Sequence, residues 1–158
     1  MISVQFRSGM DSNHPDPQIR FAVTKDFPRS EALALYREAG WFAQDDPAPQ
    51  LDAMIANSFA VSAAFGPDGR LAGMARALSD GVSDAYILDV VVRGDCRRRG
   101  IGRGLVSRLA EHLALFGIDW IVCIGVPGTD GLYRSAGGEP MTGHTPFRFT
   151  LKNGEAAP

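Results

Sequence analysis

The spacing of apolar positions divides this chain into strand-like and helix-like segments. Alternating or continuous apolar runs at 2–7 (ISVQFR), 58–65 (SFAVSAAF), 70–78 (RLAGMARAL), 84–92 (DAYILDVVV), 119–124 (DWIVCI) and 144–151 (HTPFRFTL) predict strands. The runs ending at 92 and 124 are so apolar that burial on both faces is expected. Between 101 and 116, Ile101, Leu105, Leu109 and Leu113 recur at four-residue steps, and Val106 and Ala110 widen the stripe. Arg103, Ser107 and Glu111 lie on another face, and Gly117 closes an amphipathic helix. Leu33, Leu35, Tyr36 and Ala39 predict a helix over 28–39 that ends at Gly40, and 50–56 (QLDAMIA) predicts a second, short one. Glycine-rich 125–138 predicts a short helix around Leu132-Tyr133. Gly66-Pro67-Asp68-Gly69 and the Ser79-Asp80-Gly81 turn join the three middle strands into a meander. Residues 9–18 read as loop and 152–158 as a frayed tail. The expected architecture is a single α/β domain over 1–158, with one mixed sheet of about six to seven strands flanked by about four helices.

One junction carries most of the functional information. The β-branched run Val90-Val91-Val92 stops, Arg93-Gly94-Asp95-Cys96-Arg97-Arg98-Arg99-Gly100 turns, and Ile101-Gly102-Arg103-Gly104-Leu105 begins the amphipathic helix. That order aims a helix N-terminus, with its unpartnered amides, at one spot beside several arginines, and such a spot binds phosphate. Gly100 and Gly102 allow close approach of the backbone to a ligand. Neither GxxxxGK[ST] nor GxGxxG with a following acidic residue is present.

Charge sharpens the reading. The net charge is −2, which disfavours nucleic acid as a partner, yet Arg93, Arg97, Arg98, Arg99, Arg103 and Arg108 crowd into positions 93–108. A compact polyanion suits that cluster. Two cysteines, Cys96 and Cys123, form no disulfide framework, and no Cys/His spacing suits zinc. No signal-peptide pattern opens the chain and no apolar run approaches the roughly 20 residues that cross a bilayer. A cytoplasmic protein without membrane partners or metal is expected.

Arg97-Arg98-Arg99-Gly100-Ile101-Gly102 has the form R-x-x-G-x-G directly after a strand. It resembles the acetyl-CoA signature of the GNAT superfamily of N-acyltransferases, and the resemblance extends from about residue 28 to 150. It implies that Val90, Val91 and Val92 pair with the pantetheine arm like an added strand. It also implies that Arg97, Arg98, Arg99, Gly100, Ile101, Gly102 and Arg103 hold the pyrophosphate. Leu132-Tyr133-Arg134-Ser135-Ala136-Gly137-Gly138 is similar to the family's F-Y-x-x-x-G-F. Tyr133 then falls on the tyrosine that protonates the departing thiolate. Leu132 and Gly138 replace the two phenylalanines, and Val126 stands where the family often has asparagine. The oxyanion donor is expected to be the amide of Val91 or Val92, if the strands splay there.

For the remaining chemistry, Asp89 is the candidate general base, with a carboxylate held by a neighbouring arginine as the equal alternative. Asp80 and Asp84 suit turns. His144 and His112 read as filler and solvated face. Cys96 lies beside arginines that could lower its pKa, but direct transfer requires no acyl-enzyme. Tyr36, Trp41 and Phe42, in YREAGWF, are candidates for the acceptor pocket or simply for covering the sheet, and Asp45 and Asp46 for attracting a cation or for solvation. L-Y-x-x-x-G-W, Asn57-Ser58 and LSDGVSDAYILDVVV together look like a GNAT subgroup of bacterial proteins and plant plastid acetyltransferases. The implied function is N-acetylation of a primary amine, small-molecule or protein, by direct attack on acetyl-CoA. The alternative is a non-catalytic acyl-CoA-binding sensor on the same fold. The apolar final strands suit a homodimer.

Overall fold

The computed structural model describes residues 18–149. The expected strand at 2–7, most of the loop at 9–18 and the tail at 152–158 lie outside those residues. Five strands form one sheet in the order β1-β2-β3-β4-β5: β1 Arg20–Val23, β2 Ala60–Phe65, β3 Leu71–Ser79, β4 Asp84–Val92 and β5 Trp120–Cys123. The first three junctions are antiparallel and β4–β5 is parallel, so the sheet is mixed. Four helices accompany it: α1 Arg29–Glu38, α2 Gln50–Ala56, α3 Ile101–Leu115 and α4 Asp130–Ser135.

The strand count is five among the described residues, against the six to seven expected. Residues 144–149 take no strand conformation, and Phe147 and Phe149 are 78% and 95% exposed. Alternation alone does not make a strand; cross-strand neighbours must stabilise it. β1 is absent from the sequence reading because RFAV is too short to show a period. It is held by its register on β2, from Arg20↔Phe65 to Val23↔Ser62. Among the described residues β5 is an edge strand, with Trp120 exposed and the rest half-buried, and not the fully buried strand its composition suggests. β4 is also only partly covered: Ala85, Ile87 and Val91 are buried, while Val90 and Val92 are half-buried.

Alternation in β2 and β3 sorts small residues to one face and larger ones to the other. Ala60, Ala64, Ala72, Ala75 and Ala77 join Ile101, Leu105, Leu109 and Leu113 of α3 in one core. Val61, Ala63, Phe65, Leu71 and Met74 join Ala32, Leu35, Tyr36, Leu51 and Ile55 of α1 and α2 in the other. Leu105, Leu109 and Leu113 are fully buried, and each contributes about 1.5–3 kcal/mol. The central strands are therefore covered on both faces, and the chemistry is confined to the β4–β5 end and to the start of α3.

Candidate active site

β4 and β5 pair only from Asp84↔Trp120 to Ile87↔Cys123. β4 then continues to Val92 without β5 beside it. On its other edge it stays paired with β3, through Met74↔Val91 and Gly73↔Val92. Between Arg76↔Leu88 and Met74↔Val91, one β3 residue faces two on β4, so Asp89-Val90 form a bulge, with Asp89 at φ +52°. A bulge bends its strand and increases the local twist. Here it lies just past the last β4–β5 pair, where β5 ends, so the two strands form a fork with β4 as its longer arm. The Arg93 amide donates to Ala72 O. Because the peptide unit is planar, the Val92 carbonyl must point the opposite way, off β3, where Arg97 Nε donates to it at 3.1 Å. Among the described residues the β4 edge is thus unpaired on the β5 side from Leu88 to Val92.

Beyond Val92 the chain makes a single 3₁₀ turn at Gly94–Cys96, and Arg98 and Gly100 take left-handed conformations, φ +60° and +73°. Gly100 caps α3 without a side-chain hydrogen bond, so the first amides of α3 depend on other acceptors. At Gly102 a Cβ would meet Leu132 Cδ1 of α4 at 2.7 Å, so its missing side chain also serves helix packing. The arginines divide into two groups. Arg93 is engaged by Asp95 (2.7 Å) and by Cys96 Sγ, and Arg108 lies over the Phe21 ring. Arg97 and Arg98 are exposed, and Arg99 and Arg103 are half-buried around the turn. Glu38, at the end of α1, accepts from the Gly94 amide at 2.6 Å and from Arg97 Nη2 at 3.4 Å, which ties α1 to this turn.

Behind the fork lies a buried polar cluster. Arg76 on β3 is 5% exposed. Its Nε and Nη2 reach Asp89 Oδ2 at 2.7 and 2.6 Å, and its Nη1 donates to Met54 O and Ser58 Oγ. Tyr36 Oη donates to the same Asp89 oxygen at 2.6 Å. Burial first, then the Asp89 carboxylate, push the Tyr36 hydroxyl well above its ordinary pKa, so it stays a donor. Of the two readings open for Asp89, the geometry shows a carboxylate held by an arginine. Removing one partner of such a buried pair costs roughly 3–5 kcal/mol. Arg76 is the residue that sequence reasoning missed; its one signal is a lone arginine among Ala, Leu, Gly and Met.

Tyr133, on α4, packs its ring against Gly125, just beyond β5. Burial, with Cys123 and Tyr86 nearby, raises its pKa, so the hydroxyl keeps its proton at neutral pH. Burial likewise raises the Cys96 thiol and outweighs Arg93, contrary to the lowering expected from neighbouring arginines. Asp80 serves its turn as expected, accepting from the amides of Val82, Ser83 and Asp84. His144 is exposed near Trp120, and His112 packs edge-on to Phe116. The Tyr36 ring is buried, edge-on to Trp41 and stacked on Phe42, so only Trp41 (45% exposed) and half-buried Phe42 present aromatic surface. A depression of about 560 Å³ lies elsewhere, along β1, lined by residues including Arg20, Phe27 and Phe65. Among the described residues no His/Cys/Asp/Glu group could hold a metal ion, and no helix is long and apolar enough to cross a membrane.

The acetyltransferase (GNAT) family model matches residues 24–137, which contain the fork, the turn and α3. The chain belongs to the GNAT family. Curated relatives agree with that membership. Serotonin N-acetyltransferase 2, chloroplastic, of Oryza sativa subsp. japonica is 39% identical over 69 residues, 44% of this chain and 34% of that protein. A histone acetyltransferase of Glycine max is 30% identical over 143 residues, 82% of this chain and 61% of that protein. The chain thus spans between about a third and two thirds of the length of these relatives. Solved structures share the GNAT fold. A GNAT-family acetyltransferase from Streptococcus pneumoniae gives a TM-score of 0.67 at 24% identity, covering 85% of this chain and 99% of that one. An aminoglycoside acetyltransferase from an uncultured soil metagenomic sample gives 0.68 at 19% identity, covering 87% and 99%.

Proposed function

We propose that this GNAT chain is an acetyl-CoA-dependent N-acetyltransferase whose acceptor is a primary amine that attacks the thioester directly. The observation that carries the reading is the β4 edge, parted from β5 and leading straight into a basic turn and a helix N-terminus. One feature takes a peptide-like arm by strand addition and the other a diphosphate. Val90, Val91 and Val92 supply the backbone edge, with the amide of Val92, which faces away from β3, as the donor to the developing oxyanion. Arg97–Arg103 amides and guanidiniums hold the phosphates. Bound there, acetyl-CoA supplies the activated acyl group. Tyr133 returns a proton to the departing sulfur, a role its raised pKa supports because the hydroxyl remains loaded at neutral pH. Trp41 and Phe42 offer the acceptor an apolar wall, which suits an amine carrying a ring or a long apolar stem. The acceptor is a small-molecule or protein amine, and nucleic acid and membrane play no part.

The test is a calorimetric titration with CoA followed by a panel of primary amines with thiol release as the readout. Micromolar CoA binding and amine-dependent thiol release are expected. Binding without release for any amine would leave the sensor reading in place, and no CoA binding at all would overturn both.

A further inference from the structure

We propose that Arg76 is a positioning residue of the donor edge: acting through Asp89, it maintains the bulge that sets which backbone groups β4 presents beyond the end of β5. The proposal rests on the reading of that edge as the seat of the acetyl-CoA arm. Asp89 holds φ +52°, a backbone state uncommon for residues with a Cβ, which aspartate enters more readily than most when its carboxylate is held. The surroundings here are three donors converging on one oxygen, Asp89 Oδ2: Arg76 Nε, Arg76 Nη2 and Tyr36 Oη, at 2.7, 2.6 and 2.6 Å. The guanidinium has no freedom to follow Asp89 elsewhere. It is buried, and its remaining nitrogen is fixed by Met54 O at 2.9 Å and Ser58 Oγ at 3.0 Å. Asp89 therefore comes to Arg76, and the backbone turns to allow it.

Its place along the strand gives that turn its effect. Asp89 stands two residues past Ile87, the last β4 residue paired with β5, and immediately before Val90. Extended backbone at 89 would remove the extra residue from the ladder and shift 90–92 by one place against β3, which reverses the backbone groups that β4 presents on its free edge beyond β5. The same contacts give Asp89 an anchoring part through Oδ2, which takes all three donors. Tyr36 belongs to α1, Met54 to α2 and Ser58 follows it, so one guanidinium joins the acceptor-side helices to the donor edge.

Two double variants test this without leaving a lone buried charge: Arg76→Met with Asp89→Gly, and Arg76→Met with Asp89→Val. Glycine takes φ +52° unaided, whereas a β-branched residue resists it. With folding checked by circular dichroism, the glycine pair is expected to bind CoA within about threefold of wild type, and the valine pair at least about tenfold more weakly. The KM for acetyl-CoA should move more than kcat. Equal CoA affinities in the two folded variants would overturn the positioning role. So would a glycine pair that binds CoA normally but loses about 100-fold or more in kcat, since Asp89 would then be the proton acceptor. A wild-type chain that takes up no CoA overturns the donor reading itself, whatever the variants do.

Discussion

Replacing Gly73 by alanine adds one methyl group at the point where β3, β4 and α3 meet. A Cβ there would lie 2.7 Å from Val91 O, 3.2 Å from Leu105 Cδ1 and 3.3 Å from Ile101 Cγ2. Carbon and carbonyl oxygen settle at roughly 3.3 Å or more, so β3 and β4 must part by at least about 0.6 Å at Val91. The leucine and isoleucine tips leave no compensating room, and overpacking of this kind costs about 1–3 kcal/mol. For a chain of this size each kcal/mol lowers Tm by about 2–4 °C, so a fall of roughly 2–12 °C is expected. The control is Gly131→Ala in α4, where an added Cβ meets nothing within 4 Å. There alanine should stabilise by up to about 1 kcal/mol through helix propensity. Thermal melts of both variants beside wild type, with CoA titration, make the assay. Because Val91 sits on the donor edge and Ile101 starts α3, the Gly73 variant should also bind CoA more weakly. If Gly73→Ala melts with or above wild type while Gly131→Ala rises, the close approach of β3 to β4 is not real and the reasoning fails.

Tyr133→Phe should lower kcat by roughly 10²–10⁴-fold with little change in CoA affinity, as expected for a lost general acid. In the wild type, the alkaline limb due to Tyr133 should lie above the ordinary tyrosine value of 10.0, because burial raises its pKa; a kcat equal to wild type in the Phe variant would remove the acid role. The amides and hydroxyl that hold Asp80 lower its pKa, so its contribution to stability is full above the ordinary value of 3.8 and is lost as pH falls below it. Melting curves of Asp80→Ala against wild type should therefore differ at pH 7 and converge in strong acid. Cys96, buried and with a raised pKa, should resist alkylation at pH 7.5 in the native protein and react fully in denaturant; rapid native labelling located at Cys96 by peptide mapping would contradict its burial.

Much of this site is local and therefore legible in the chain. A β-branched strand, a basic glycine turn and a helix with leucines at four-residue steps are neighbours in sequence, and β4, the turn and α3 occur where that pattern puts them. What escaped depends on partners distant in sequence. The fork exists because β5 stops at Cys123 while β4 runs on to Val92, a difference between two strands that neither one reveals. The one local sign at Arg76 is its place in an apolar strand, which does not tell burial from an outward-facing position; Tyr36, Met54, Ser58 and Asp89, brought from three other places, make its burial tolerable. Residues 144–149 alternate as a strand should, yet have no ladder partner among the described residues. β5 is apolar enough to suggest a central position but lies at the edge of the sheet that the described residues form, because sheet order is decided by packing between distant segments.

The alanines of β2 and β3 set a limit on how this molecule can be altered. Ala63, Ala64, Ala72, Ala75 and Ala77 are fully enclosed, with helices pressed on both sides, so the middle of the sheet has no volume to spare. A new acceptor preference cannot be engineered from beneath by enlarging those positions without forcing the layers apart. It has to come from the rim, where Trp41 and Phe42 border solvent and a change of shape leaves the donor edge undisturbed.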